Sequence, residues 1–435
     1  MNPRVSCLSE HGVSPSVKES LSRLRLLLAK PHLLRRKYKL NSGAWLRNVP
    51  FGKHPRLHYL YMQNLVREAV FGKNKKGARE KIKELAEKNE IWLDSTQRLY
   101  KEGQSRFTVP ALNIRTLTFD IAKAVFRAAK KEKVGAFIFE IARSEINYTG
   151  QSPEEYIAVI LGAAIEEGFK GPLFFQGDHF QVNPKRYFSE KEKELKDLEN
   201  LIERVIRTGF YNIDIDCSTL KPLKENFSLT AKLTSFIRKI EPKGLTISIG
   251  GEVGEIGGEN TTLEEFKEFI EGYNQELSQY GKLKGLIKIA VQTGTAHGKG
   301  GKTDFQLLQS LREKAMEYNI AGVVQHGAST LPKEEFKKFP EVGTLEIHLA
   351  TEFQNMILDS PYFPQELKEK IDSKKDLGPF KKEIWDIPQK NRDEISEQLE
   401  KEFVFLFKAL RVSNTKNLIK KLYSKNSFSN LSAWR

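Results

Sequence analysis

GAFIFEIARSEINYTGQSPEEYIAVILGAAIEEGFKGPLFFQGDH, residues 135–179, carries one complete structural unit. It begins and ends with short apolar, β-branched and aromatic runs, GAFIFEIA (135–142) and PLFFQGDH (172–179). Between them PEEYIAVILGAAIEEG (153–168) repeats apolar residues at spacings of three and four, with charges on the opposite face. Runs that are apolar throughout, not alternating, belong to strands covered on both faces, and an amphipathic helix joining two such strands makes them parallel neighbours. The second run ends on Gly177, Asp178 and His179, an acid and a metal-type ligand emerging together at a strand end.

The same alternation extends in both directions. FTVPALNI (107–114) precedes the unit, and FYNIDIDCS (210–218), TISIGGEVG (246–254), LIKIAVQTGTAHG (286–298), GVVQHGAS (322–329) and GTLEIHLAT (343–351) follow it, which makes eight strand-like runs. Eight βα repeats are the number that closes a barrel, so the predicted fold is a (β/α)8 TIM barrel over residues 105–360. An open doubly wound sheet is the alternative. Residues 57–104 read as a helical segment packing on the barrel, including AREKIKELAEKNEIWLDSTQRLYKEG (78–103) as one helical stretch. Residues 361–435 read as a C-terminal helical extension with a basic tail, and 1–56 as a basic N-terminal extension.

The net charge of +15 is unevenly placed: +10 falls in residues 1–56 and +7 in 403–435, which leaves −2 on the body. The body is nearly neutral and the ends are basic. RLRLLLAKPHLLRRKYKL (23–40) has the composition shared by transit peptides, membrane-surface helices and nucleic-acid arms, and equally that of a solvated helical extension. The two cysteines, Cys7 and Cys217, are too few for a disulfide framework and fit a reducing, cytoplasmic setting. No run of about 18 uncharged apolar residues marks a membrane-spanning helix.

Of eight histidines, four lie within the barrel, and each of these, His179, His297, His326 and His348, sits at or near the C-terminal end of a strand. That rim is where barrels of this kind build active sites. A lone histidine there is more often a satisfied polar residue, but three converging with glycine neighbours suit a metal held by imidazoles with an open position for water or substrate. Asp178, Asp216 and the cluster Glu252, Glu255 and Glu259 add carboxylates at the same rim; taken singly they read as turn caps or solvated loop residues. The glycine-rich GTAHGKGG and QHGAST loops offer backbone N–H groups suited to a phosphate.

In order along the chain, DH after strand three, IDCS after four, GEVGEIGG after five, GTAHG after six, HGAS after seven and ATE after eight resemble the class II, metal-dependent ketose-bisphosphate aldolase family over residues 107–355. The resemblance implies an enzyme of carbohydrate metabolism: a zinc-dependent lyase of the glycolytic, fructose-bisphosphate aldolase type. It would cleave a ketose bisphosphate, first fructose 1,6-bisphosphate, to dihydroxyacetone phosphate and an aldehyde. It implies that His179, His297 and His326 ligate one catalytic Zn2+. Glu252 and Asp216 then match residues for a displaced or second cation, divalent or monovalent. Asp178 matches the acid/base that moves the C4 hydroxyl proton, and Glu259 the acid that exchanges a proton with the carbanion. Asn113, Gly298, Gly327, Ser329, His348 and Thr351 match substrate-binding positions. A homo-oligomer, dimer or tetramer, is the implied assembly, with a phosphorylated sugar as partner and tail contacts to nucleic acid or membrane left open.

The chain departs from the family in the pocket and not among the metal ligands. His348 stands where an Asn is usual, Ala142 where a Ser is, Asn260 where a second acid is, and Gly301 where a Lys is, with Lys302 beside it. HGAST replaces HGGSG. A related aldolase for another sugar phosphate and a non-catalytic, metal-binding subunit are therefore the other readings.

Overall fold

The computed structural model describes residues 55–102, 106–255, 257–295, 302–371 and 376–424. Cys7, His297, Gly298, most of the basic N-terminal extension and the last eleven residues of the C-terminal tail lie outside the described residues. The chain divides into two compact units, 1–62 and 63–435.

Every strand pairing is parallel, and within the barrel consecutive strands are neighbours. β2 (Val109–Asn113), β3 (Ile138–Ala142), β4 (Gly171–Gln181), β5 (Asn212–Asp216), β6 (Ser248–Val253), β7 (Lys288–Val291), β8 (Gly322–Gln325) and β9 (Glu346–Leu349) follow one another around a ring. Pairing of β9 with β2 closes it, so the sheet is a (β/α)8 barrel and not an open one. All residues of β2, β3 and β5–β9 are buried, as in strands covered on both faces. Helices such as Thr118–Glu132, Pro153–Glu166 and Leu223–Ile240 cover the outside. In Pro153–Glu166, Ser152 caps the first turn through Oγ and Pro153 occupies the first helical position, where a missing N–H costs nothing. The connection between β8 and β9 holds only a short helix, Lys338–Glu341, and one 3₁₀ turn.

The stretch 78–103 is not one helix. After the helix Lys75–Lys88 a ninth strand, β1 (Ile91–Asp94), pairs with Gly171–Phe174 of β4, and a short helix Gln97–Lys101 follows. Asn89 and Glu90 end the helix, Glu90 taking positive φ, and IWLD then offers the β-branched and aromatic residues that favour a strand. β1 wedges into the barrel floor. Thr96 N donates to Asn212 Oδ1 at 2.8 Å, and Ser248 N donates to Ser95 Oγ at 2.9 Å. Tyr423, beyond the helix Lys416–Leu422, closes the plug by donating to Ser95 O at 2.7 Å. On the flank, the helix Gln389–Ala409 packs on Thr118–Glu132, tied by Arg392 to Asp120 and Arg127 to Glu400, each at 2.6 Å. No described helix is long and apolar enough to cross a membrane.

β4 is irregular where the chemistry gathers. Its pairing with β5 shifts register between Gly177 and Phe180, and His179 takes φ +40. A Cβ on Gly177 would lie 2.6 Å from the Phe180 ring, so only glycine allows that ring to fold back. In a regular strand Asp178 and His179 would point to opposite faces. The bulge lets both serve one site.

Candidate active site

Side chains two apart on a strand share a face, so the barrel interior is built in layers. Asn212, Asp214 and Asp216 are the β5 contribution, from floor to mouth. At the mouth, His179 Nδ1 lies 3.1 Å from Asp216 Oδ2 and 2.9 Å from Glu252 Oε1. Asp178 Oδ1 lies 4.0 Å from His179 Nε2, 3.9 Å from His326 Nδ1 and 3.0 Å from His348 Nδ1. The three rings stand in a row, with centroids 4.3 Å apart for His179 and His326, and 4.1 Å for His326 and His348.

Three of these side chains, Asp178, His179 and His326, offer ligand atoms all within 4.8 Å of one another, and so do His179, Asp216 and Glu252. Two imidazoles among carboxylates are a donor set that suits zinc. A histidine whose one ring nitrogen is held by carboxylates while the other faces the cluster is also how metal-binding histidines are oriented. The electrostatics agree. Burial, with the like charge of Asp216 beside it, pushes the Glu252 carboxyl up to about 8. Burial opposes the charge on His179, but Asp178 and Glu252 hold it well above the ordinary histidine value. Burial likewise works against ionised Asp216, yet hydrogen bonds from His179 and Ser218 keep it below the usual carboxylate range. Carboxylates so crowded in a buried site favour a cation among them.

The backbone of His326 is fixed from the neighbouring strand. Thr295 Oγ1 donates to His326 O at 2.8 Å, Gln325 Nε2 donates to the same oxygen at 2.9 Å, and Thr293 Oγ1 donates to Gln325 Oε1 at 2.6 Å. These hydroxyls tie the β7 and β8 ends together, and nothing in their sequence context marks them.

The other expected site residues spread along the rim. Asn113, ending β2, is buried and donates from Nδ2 to Glu145 Oε2 at 2.6 Å. Among the described residues its Oδ1 has no hydrogen-bond partner. Gly327 takes φ +67 directly after His326, Ser329 is half-buried in the same loop, and Thr351 opens the helix Thr351–Leu358. Glu259 is exposed on its loop and makes no described contact with the histidine cluster. His348 is not open to the rim: Nδ1 faces Asp178, with Glu140 Oε2 at 3.2 Å, and Nε2 lies 2.6 Å from Glu346 Oε1. Those carboxylates, Glu140 and Asp178 foremost, hold it well above the ordinary histidine value although burial opposes this.

Beneath the mouth lies a charged layer not anticipated from sequence. Lys288 Nζ, fully buried, donates to Glu346 Oε1 at 2.5 Å, Gln176 Oε1 at 2.6 Å and Asp214 Oδ2 at 3.0 Å. Gln176 Nε2 donates to Glu346 Oε1 at 2.8 Å and Glu140 Oε2 at 3.0 Å. The Tyr100 hydroxyl donates to Glu346 Oε2 from the floor. Gly250 leaves room for the lysine, since a Cβ there would lie 2.3 Å from Asp214 Oδ1 and 3.1 Å from Lys288 Cε. Burial opposes the lysine's charge, but Asp214 and Glu346 keep its pKa raised. Burial pushes Asp214 up to about 6, with Lys288 opposing. The signal was present: FIFEIA, FFQGDH, NIDID, LIKIAV and LEIHL each place a charged or amide residue mid-run, where an apolar side chain is the norm.

The sequence profile of the fructose-bisphosphate aldolase class-II family matches residues 94–406. Solved structures with the same fold include the YdjI aldolase from Escherichia coli K12, at 16% identity and TM-score 0.51, covering 74% of this chain and 98% of that one. The fructose-bisphosphate aldolase of Campylobacter jejuni matches at 16% identity and TM-score 0.50, covering 74% and 96%. A protein from Coccidioides immitis described as a fructose-1,6-bisphosphate aldolase matches at 19% identity and TM-score 0.50, covering 74% and 96%.

Proposed function

The chain belongs to the fructose-bisphosphate aldolase class-II family, and on that premise we propose that it is a zinc-dependent aldolase. It reversibly cleaves a ketose bisphosphate, fructose 1,6-bisphosphate first among candidates, to dihydroxyacetone phosphate and an aldehyde. The observation that carries this reading is the meeting of Asp178, His179 and His326 at the barrel mouth, their ligand atoms within 4.8 Å of one another. His179 and His326 would hold the metal, with His297 as the third ligand by resemblance, and Asp216 and Glu252 would orient His179. Bound there, Zn2+ supplies positive charge that offsets the negative charge left on the substrate oxygens.

In the cleavage direction the proton of the C4 hydroxyl passes to the Asp178 carboxylate as C4–O becomes a carbonyl. The C3–C4 bond breaks, and its electron pair forms the C2–C3 double bond of the enediolate. Glu259 then delivers a proton to C3, giving dihydroxyacetone phosphate. For that step its loop must bring the exposed carboxylate over the mouth. Gly327, Ser329 and Asn113 would bind the dihydroxyacetone phosphate portion, Asn113 through its buried Oδ1. A cytoplasmic location belongs to the same reading.

His348 favours a second reading within the class. With both ring nitrogens facing carboxylates, it offers none of the amide hydrogen bonds of the usual Asn, which suits a different ketose phosphate. An aldol-cleavage assay across a panel of ketose mono- and bisphosphates, with and without chelator, tests both. Chelator-sensitive turnover highest on fructose 1,6-bisphosphate supports the first, and another best substrate the second. Stoichiometric zinc without turnover on any member of the panel overturns the aldolase assignment.

A further inference from the structure

The described contacts of the Asp178 carboxylate with imidazoles all fall on one oxygen. Oδ1 receives His348 Nδ1 at 3.0 Å, while His326 Nδ1 and His179 Nε2 stand at 3.9 and 4.0 Å. His348 is itself held from beneath: Nε2 lies 2.6 Å from Glu346 Oε1. Glu346 is fixed in turn by Lys288 at 2.5 Å, by Gln176 at 2.8 Å and by the Tyr100 hydroxyl. A chain of contacts thus runs from the floor helix Gln97–Lys101 up the barrel axis to the carboxylate at the mouth.

Register explains why this side chain reaches that far. Glu346 and His348 are two apart on β9 and point inward together. Ala111 is the β2 residue opposite His348, and Ala142 is the β3 residue opposite Asp178. Two alanines at these positions leave the width that the imidazole takes. His348 is 5% exposed, so it is not a surface offered to a ligand.

We propose that His348 is a positioning residue for the aldol step: it pins Oδ1 of Asp178 so that Oδ2 meets the C4 hydroxyl, and it does not contact the substrate. The proposal rests on the aldolase reading above. A carboxylate free to rotate spends much of its time with neither oxygen aligned for transfer, and misplacement on the order of 1 Å can cost roughly 100-fold in rate. In this chain Glu346 and Lys288 provide the rigid support that an exposed acid/base would lack.

The test separates two reactions of the same bound substrate. Cleavage uses Asp178, whereas exchange of the C3 proton of dihydroxyacetone phosphate with solvent does not. In the zinc-loaded enzyme, His348→Ala lowers kcat for cleavage by about 100-fold, with KM and the exchange rate within about threefold of wild type and zinc content unchanged. In an Asp178→Asn background the further change His348→Ala costs nothing more, because it acts only through that carboxylate. A rise in KM together with a parallel fall in exchange would make His348 a substrate contact and overturn the proposal, as would unaltered cleavage. If His348→Ala does not fold, as judged by circular dichroism, Glu346→Gln keeps the ring and removes its charged anchor. It gives the same split with a kcat loss of about tenfold, and an unsplit loss overturns the proposal. Wild-type protein that shows neither cleavage nor exchange defeats the aldolase reading and the positioning role with it. Wild-type activity with an unsplit variant defeats the positioning role alone.

Discussion

The mouth of the barrel and the layer just below it use the same residue types and reach opposite electrostatic solutions. Below, Asp214, Glu346 and Gln176 surround the buried ammonium of Lys288, so the layer carries its own cation. At the mouth, the described ion-pair partners of Asp178, Asp216 and Glu252 are imidazoles, and Glu252 is pushed up to about 8 by burial and its neighbour's charge. A covalently attached cation makes a permanent, rigid layer; a set of imidazoles and carboxylates makes a site for an exchangeable one. The first supports, and the second reacts.

The sharpest way to break this comparison is to remove the cation each layer depends on. Chelation should abolish cleavage and Zn2+ should restore it, with the far-ultraviolet circular dichroism unchanged throughout, because the barrel closes without help from the mouth. Next, Asp178→Ala should lower kcat by about 10³-fold while zinc stays bound, read by turnover and by metal analysis. Lys288→Met should do the reverse. Stripping the cation from buried Asp214 and Glu346 should cost about 3–5 kcal/mol of unfolding free energy in denaturant titration, with zinc stoichiometry kept. A lysine variant that loses zinc without losing stability would merge the two layers into one.

Asp216→Asn sharpens the contrast at the mouth. It leaves the fold intact but weakens the hold on the His179 ring, so zinc affinity by competitive chelation should fall about 10–100-fold. Smallest is a pH effect in chelator-treated protein. Glu252 has a folded pKa of about 8, above its unfolded value, so from about pH 5 to 8 the folded state keeps a proton that the unfolded chain releases. Stability therefore declines as pH rises through that window, on the order of 1–3 kcal/mol, and Glu252→Gln should flatten the decline. His179, whose pKa is raised, works in the same direction. A slope unchanged by that substitution would place the titration elsewhere.

Much of this was legible in the chain. Eight apolar runs separated by amphipathic stretches require parallel strands covered on both faces, and the acid and histidine at strand ends fall at the mouth because strand polarity carries them there. The strand β1 was not legible, since IWLD follows a helix of strong period and becomes a strand only by pairing with Gly171–Phe174. Nor could sequence tell that Asp178 and His179 share a face, because that depends on the register shift in β4 and the ring of Phe180 folded over Gly177.

Periodicity and composition, which are local, determined the barrel, its direction and the residue types at its mouth. Only the tertiary structure decided who meets whom. His348 turns from the rim to Asp178, and Lys288 finds acids from β5 and β9, because barrel closure brings residues more than fifty positions apart within hydrogen-bond distance. Such contacts depend on strand register around the ring, where a slip of one residue would turn every side chain to the other face.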